Sequence, residues 1–378
     1  MQDQRNYKEN INNLILIVFS FIPTITLIYA SNGSFIKLIL IIELILLSIM
    51  LIVNYHRFSK VEIFFALLNM FSLIVTLNYH SAFGSAIIFI NSLLAFKLFN
   101  NISIKRKLFL WLHLINGTCL SIYLFLINRP LYTGNTILDY FNNRINTNLI
   151  SILFLCAFLH FACYIMLKID NKKISYLLLF LLGIIYGENI WFYKARSAML
   201  SFILFIVLIL LLKKSISYQK SKRICTIALI CCLLFPFAYL GLINAIKVVT
   251  VFGKGIETRT LVWNACIEMI NQYPIFGCGN DLLVEIKSDG TMSASMHNTM
   301  LSIWKILGIV PAISFIIFFF QNDSPEENQK RNLYSQIAVI STLPICFFES
   351  FYTEQLLYLA FLPFMITKIN DDDITDDD

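Results

Sequence analysis

Long apolar runs separated by short polar loops make up most of the chain. A helix needs about 20 apolar residues to cross the hydrocarbon core of a bilayer. Runs close to that length predict about twelve spans, at residues 11–30, 36–54, 61–78, 82–99, 108–127, 148–167, 176–191, 198–212, 224–246, 299–320, 334–349 and 352–367. We therefore predict an all-α, polytopic membrane protein in which residues 1–378 form a single transmembrane domain.

The composition agrees with a membrane protein. Apolar residues make up 58% of the chain and charged residues 14%, whereas a soluble domain averages roughly 45–50% and about 25%. The mean hydropathy is +0.74. The first apolar run follows Arg5 and Lys8 and is longer than the core of a signal peptide, so we expect a retained first helix.

The basic residues predict the orientation of the spans. Cytoplasmic loops carry an excess of lysine and arginine. With the N-terminus inside, most of the 29 basic residues lie in inside loops, and every inside loop has at least one. We therefore expect both termini in the cytoplasm, with two long loops, 128–147 and 247–298, outside. The basic residues behind the net charge of +6 are spread over the short loops between apolar runs, so the charge does not indicate a nucleic-acid partner.

The second of these loops contains a predicted amphipathic helix. Thr258 or Thr260 is a suitable N-cap, and Pro274 ends the helix before Gly277 and Gly279 allow a tight turn. One apolar stripe is formed by residues 261, 262, 265, 266, 269 and 270. The helix is too polar to span a membrane, so we expect it along the outer surface with its apolar face down.

Three outer-face side chains are candidates for chemistry. His297 precedes the tenth span, and an imidazole exchanges protons near neutral pH; a capping or anchoring role is the alternative. Arg196 starts the eighth span and Arg259 opens the loop helix. Arginine binds phosphate with a planar fork of donors, and the alternative for each is an anchor at the lipid headgroups.

The order of these motifs resembles a known family. The chain reads KARSAML, then RTLVWNACIEMINQYPIFGCGN, then MHNTMLSIWKILGIVP. This is similar to the O-antigen ligase and polymerase superfamily of bacterial inner-membrane glycosyltransferases. Its members have an Arg-Ser helix start, an R-x-x-x-W helix followed by P-x-x-G-x-G, and an H-N-x-x-L…G entry to the next span. The resemblance covers residues 194–311.

The resemblance implies a fold and a reaction. The fold would be GT-C-like, and the enzyme would transfer a glycan from undecaprenyl pyrophosphate to a sugar hydroxyl of lipid A-core, without a metal or cofactor and with inversion. By position, His297 would activate the acceptor, while Arg196 and Arg259 would hold the pyrophosphate, helped by Lys194. The active site would face the periplasm of a bacterial inner membrane. The partners would be the lipid-linked donor, lipid A-core and membrane lipid.

Two other functions remain open at this point. The stretch from Arg259 to His297 is shorter than the loop of many ligases, which leaves the related O-antigen polymerase reaction open. A transporter or flippase is the alternative from another class. Transporters often contain internal repeats and ionisable groups in the middle of the membrane, whereas this chain has no evident repeat and its ionisable cluster is predicted at the outer surface.

Several further residues are predicted to support the site. Asn298 and Gly279 are expected to shape it, Trp263 to anchor the loop helix at the membrane interface, and Lys305 to lie on the same helix face as His297. Three acidic residues in or beside spans have no partner that the sequence indicates: Glu43, Glu62 and Glu349. The sequence does not decide whether Cys266 and Cys278 form a disulfide.

Overall fold

The computed structural model describes most of the helical part of the chain. The described residues are 2–28, 33–54, 60–79, 83–126, 132–133, 136–138, 144–193, 195–211, 218–243, 257–279, 284–286, 291–293, 297–320, 333–349, 363–364, 366 and 368–370. The predicted twelfth span, 352–367, lies almost entirely outside these residues, and so does Lys194.

The first nine predicted spans each coincide with one helix. They are α1 (Gln2–Ile28), α2 (Gly33–Asn54), α3 (Lys60–Tyr79), α4 (Phe83–Asn101), α5 (Arg106–Leu126), α6 (Thr147–Lys168), α7 (Lys172–Phe192), α8 (Arg196–Leu211) and α9 (Tyr218–Ile243). Among the described residues, 5 helices are long and apolar enough to cross a membrane, within α2, α5, α6, α7 and α9. The chain is therefore a helical, membrane-embedded protein.

The helix α6 lies at the centre of the bundle. Most of its side chains are buried, and it packs against α5, α7 and α8. Its His160 meets His113 of α5, with their Nδ1 atoms 2.8 Å apart. Neighbouring α7 instead exposes large apolar side chains such as Leu177, Phe180 and Ile184, which is the pattern expected of a helix whose outer face contacts lipid.

The second half of the chain contains shorter helices. They are α10 (Glu257–Gln272), α11 (Thr299–Leu307), α12 (Ile309–Phe320), α13 (Leu333–Ser341) and α14 (Leu343–Phe348). The loop helix is confirmed as α10. The predicted tenth and eleventh spans are each interrupted, at Gly308 and at Thr342. Gly308 has φ +96°, which does not fit an α-helix, and Pro344 lies in the first turn of α14, where its missing N–H costs nothing.

Within the described residues, seven short strands interrupt the helical pattern. In the loop 128–147, β2 (Tyr132–Thr133), β3 (Thr136–Leu138) and β4 (Arg144–Asn146) form an antiparallel sheet that leads directly into α6. In the loop 247–298, β5 (Val284–Ile286) pairs with β6 (Thr291–Ser293). The remaining pair, β1 (Ser103–Lys105) and β7 (Lys368–Asn370), is parallel. The all-α prediction therefore omitted these loop strands of two or three residues.

The turn after α10 is hydrogen-bonded to the end of α11. The backbone N–H of Cys278 donates to the carbonyl of Lys305 (2.8 Å), and that of Gly279 donates to the carbonyl of Ile306 (3.0 Å). The buried Lys305 ammonium donates back to the carbonyl of Gly279 at 2.9 Å. Lys305 therefore fixes this turn.

Glycines allow this close approach. Gly277 has φ +73° and Gly308 has φ +96°, backbone conformations that residues with a side chain rarely adopt. A Cβ at Gly308 would overlap the carbonyl oxygen of Ile275, and one at Gly277 would lie 2.7 Å from the nitrogen of Gly308. The break between α11 and α12 is thus the surface on which the turn packs, which locks α10 to α11.

Candidate active site

A single carboxylate joins the loop-helix arginine to the histidine. Glu349, the residue after α14, has its Oε1 3.3 Å from Nη2 of Arg259 and its Oε2 3.3 Å from Nδ1 of His297. The side chains are mostly shielded from solvent, with exposed fractions of 15% for Arg259 and 10% for Glu349. Two residues separated by 38 positions, and predicted to work together, are therefore bonded to the same group.

Arg259 contacts the ring of Phe348 as well as the carboxylate of Glu349. It lies in the first turn of α10, and its guanidinium stands over the ring of Phe348 at 5.1 Å from the centroid, which is a cation–π contact. Burial lowers the pKa of Arg259, the charge of Glu349 raises it, and the positive charge of Arg196 lowers it again. Since arginine stays protonated in proteins, the site contains a fixed cation with a second guanidinium within electrostatic reach.

His297 has an unusual backbone. Its φ of +49° makes it the non-glycine residue with positive φ in the described part of the chain, and such conformations cluster at functional sites. A carboxylate only accepts hydrogen bonds, so Nδ1–H of His297 donates to Glu349. In the neutral imidazole the other ring nitrogen, Nε2, then carries the lone pair that can accept a proton.

The neighbours of His297 dock α11 onto α9 and onto the residue that follows α14. Asn298, rather than His297, is the N-cap of α11, since its Oδ1 accepts from the N–H of Leu301 at 2.9 Å. Its Nδ2 donates to the carbonyl of Cys232 in α9 at 2.9 Å. The hydroxyl of Thr299 donates to the backbone carbonyl of Glu349 at 2.8 Å. The histidine and the carboxylate therefore sit on backbones that are tied together.

A third side chain, an amide, binds the same carboxylate. Nδ2 of Asn148, the second residue of α6, donates to Oε1 of Glu349 at 2.9 Å. Asn148 lies two residues after the end of β4, so it connects the sheet of the loop 128–147 to the site. In total, Glu349 accepts from side chains of Asn148, Arg259 and His297.

Two guanidinium groups and one imidazole lie at three helix starts. Arg196 is the first residue of α8, Arg259 is the third residue of α10, and His297 lies two residues before α11. The N-terminus of a helix already has a partial positive charge and favours anions. Two guanidinium groups add to that field, so the arrangement is suited to bind a multiply charged anion.

The apolar face of α10 packs on protein, which corrects two predictions. Trp263 was expected to anchor the helix at the membrane interface, yet it is fully buried against Phe235 and Tyr239 of α9. Val262 and Leu301 of α11 belong to the same cluster. The helix therefore does not lie apolar face down on lipid, because α9 and α11 cover that face.

Lys194 and the two cysteines of the loop 247–298 were also considered in the sequence. Lys194 lies outside the described residues, so its place relative to Arg196 stays a prediction. Cys266 and Cys278 are both buried free thiols. Among the described residues, no group of three or more His, Cys, Asp or Glu side chains could hold a metal ion.

Sequence reasoning missed Glu349 and Asn148. Their contacts join positions that are 52, 90 and 201 residues apart, and no local periodicity encodes such distances. One signal was present, because an acid at the outer end of an apolar run is costly unless a partner compensates its charge. Combined with the two outer-face arginines, that cost could have suggested Glu349 as the counter-ion.

The long apolar helices define a helical protein that is embedded in a membrane. Residues 178–316 match the family model described as O-antigen ligase. This range contains Arg196, Arg259 and His297. The match confirms the resemblance to the O-antigen ligase superfamily. No curated protein matches the chain. The match supports a function of the O-antigen ligase and polymerase type, in which a membrane enzyme processes lipid-linked glycans.

Proposed function

We propose that the protein is an O-antigen ligase, a metal-independent, inverting glycosyltransferase that moves a glycan from undecaprenyl pyrophosphate to a sugar hydroxyl of lipid A-core. The observation that carries this proposal is the Arg259–Glu349–His297 contact, within hydrogen-bonding distance on both sides. It joins an anion-binding group to a proton-accepting group, and glycosyl transfer from a pyrophosphate needs both.

Arg196 and Arg259 bind the pyrophosphate in this proposal. As the bond between the anomeric carbon and the phosphate oxygen breaks, negative charge grows on the leaving group. Guanidinium groups that are already in position stabilise that charge without reorganisation. Arg259 contacts Glu349 and Phe348 and is therefore preorganised. Lys194, two residues before Arg196, is proposed to add a third positive charge.

His297 activates the acceptor. The sugar hydroxyl loses its proton to Nε2 of His297 while its oxygen attacks the anomeric carbon, and the pyrophosphate leaves from the opposite face. General base catalysis of this kind contributes about 10²–10⁴-fold. Glu349 acts as a positioning residue, because it fixes the Nδ1–H tautomer and stabilises the imidazolium that forms.

The site is proposed to open to the periplasm. The excess of basic residues in the other set of loops favours that orientation. Undecaprenyl-linked glycan and lipid A-core would then both reach the site from the outer leaflet of the inner membrane, while residues 1–10 and 368–378 would lie in the cytoplasm.

A purified-component assay tests the ligase reaction. The protein in detergent is incubated with lipid-linked glycan and lipopolysaccharide that lacks O-antigen, and the product is followed by its shift on a gel. Transfer is expected for the wild-type protein and absent for His297→Ala. Equal transfer by His297→Ala would contradict the proposed role of the imidazole.

The short second outer loop leaves the polymerase as the second candidate, since residues 259–297 offer little room for a separate acceptor-binding part. A deletion strain distinguishes the two reactions. Loss of all long-chain lipopolysaccharide with accumulation of lipid-linked polymer indicates a ligase. Core that still carries a single repeat unit indicates a polymerase.

A further inference from the structure

The two oxygens of the Glu349 carboxylate accept from different donors. Oε1 accepts from Asn148 at 2.9 Å and from Arg259 at 3.3 Å, whereas Oε2 accepts from His297 at 3.3 Å. An arginine and a carboxylate on their own favour a two-point pair that uses both oxygens. Here Arg259 contacts one oxygen, and the histidine contacts the other.

We propose that Asn148 is a positioning residue that keeps one carboxylate oxygen of Glu349 on Arg259 and the other on His297. Its amide is the shortest of the three contacts, and it approaches from α6, a different side of the site from α10 and α11. By holding Oε1, Asn148 prevents the carboxylate from turning onto Arg259 with both oxygens. Oε2 then stays on Nδ1–H of His297. This inference rests on the proposed transferase function for its catalytic consequence.

The position of Asn148 also connects the loop 128–147 to the site. Thr147, the first residue of α6, is 2% exposed, and β4 ends at Asn146 immediately before it. The amide that holds Glu349 is therefore fixed between a sheet and a buried helix. A displacement of that sheet would move the amide and loosen the histidine.

Two substitutions separate positioning from packing. Asn148→Ala removes the donor and some volume. Asn148→Asp keeps the shape but replaces both N–H donors with a carboxylate that faces Oε1 of Glu349 at hydrogen-bonding distance. Two carboxylates at that distance repel each other unless they share a proton. Asn116→Ala is the matched control, since the amide of Asn116 is buried in α5 and donates to the carbonyl of Leu112 in its own helix.

The expected order of activity at pH 8 is wild type, then Asn148→Ala, then Asn148→Asp. We expect kcat to fall about 10-fold in the alanine variant, as for a lost hydrogen bond to a charged group, with KM for the donor within about twofold because Asn148 is not assigned to substrate. In the aspartate variant kcat should fall about 100-fold at pH 8, where the two carboxylates repel each other. Asn116→Ala should transfer at the wild-type rate.

A chemical readout does not depend on transfer. Carbethoxylation of His297 by diethyl pyrocarbonate, followed by mass spectrometry across pH, requires the neutral imidazole. The added negative charge in Asn148→Asp should move the midpoint of this reaction up by about one pH unit. Asn116→Ala should leave it unchanged.

The outcomes distinguish this inference from the function on which it rests. Activity of Asn148→Asp at or above that of Asn148→Ala at pH 8, or an unmoved carbethoxylation midpoint, overturns the positioning role and leaves the ligase proposal intact. A wild-type protein that transfers no glycan overturns the ligase proposal. If the wild-type protein transfers no glycan but the carbethoxylation midpoint is still shifted in Asn148→Asp, the link from Asn148 to His297 stands.

Discussion

Replacing Glu349 with glutamine tests the connection at the centre of the site. The substitution keeps the size of the side chain but removes the charge that lies 3.3 Å from both Arg259 and His297. The glutamine amide replaces one oxygen with an NH2 group, so it cannot accept at both oxygen positions as the carboxylate does. An N–H of the new amide facing Nδ1 would favour the opposite tautomer of His297, with the proton on Nε2.

The structure sets the size of the expected effect. A unit charge pair at 3.3 Å has a gross attraction of about 5 kcal/mol at an effective dielectric constant of about 20. Desolvation offsets much of this, so each charge-assisted hydrogen bond contributes a net amount of about 1.5–3 kcal/mol. The change to the wrong tautomer of His297 adds a kinetic cost. The equivalent change in a Ser-His-Asp triad lowers kcat about 10⁴-fold. We expect kcat of Glu349→Gln to fall about 10²–10³-fold.

The assay is glycan transfer by purified protein at saturating donor and acceptor, with size-exclusion chromatography as the check on folding. Glu268→Gln is the matched control, because Glu268 is an exposed residue of α10 and its substitution should leave kcat unchanged. A folded Glu349→Gln variant with kcat within about twofold of wild type would refute the reasoning, since the hydrogen bond to His297 would then have no catalytic role.

Further substitutions test the anion site and the turn. Arg259→Lys should raise KM for the lipid-linked donor about 10-fold, because lysine keeps the charge but loses the planar fork, and an unchanged KM would contradict donor binding there. Arg196→Ala should lower kcat about 10²–10³-fold by analogy with loss of an oxyanion donor, and normal turnover would remove Arg196 from the site. Gly308→Ala should destabilise the protein by about 1–3 kcal/mol in a thermal melt, whereas Gly84→Ala, with nothing within 4 Å of its added Cβ, should not; equal melts would contradict the packing of the turn. Lys305→Met should cost about 1–3 kcal/mol, because it leaves a buried carbonyl without its 2.9 Å donor, and an unchanged melt would count against that contact.

The sequence predicted the helices and the loop helix well, because hydrophobic periodicity is local. The span 148–167 and the helix Thr147–Lys168 differ by one residue at each end. The break at Gly308 was missed, since its cause is the close packing of a turn about 30 residues earlier in the chain. Composition cannot reveal such a contact. The same reason explains Trp263, whose burial depends on where α9 lies.

Candidate site residues were predicted only where residue type alone indicated chemistry. An imidazole at a predicted helix start and arginines in loops that are predicted to lie outside stand out in a sequence. Glu349 and Asn148 do not, because their role depends on the fold bringing α6, α10, α11 and the end of α14 together. The charge balance of the site was therefore visible only in three dimensions.

The most direct measurement is transfer of lipid-linked glycan to purified O-antigen-free lipopolysaccharide by the purified protein in the presence of EDTA. The account predicts transfer by the wild-type protein that EDTA does not reduce, and none by folded Arg259→Ala or His297→Ala. Transfer that requires added metal, or that persists in both variants, would contradict a reaction carried by a guanidinium and an imidazole joined through Glu349.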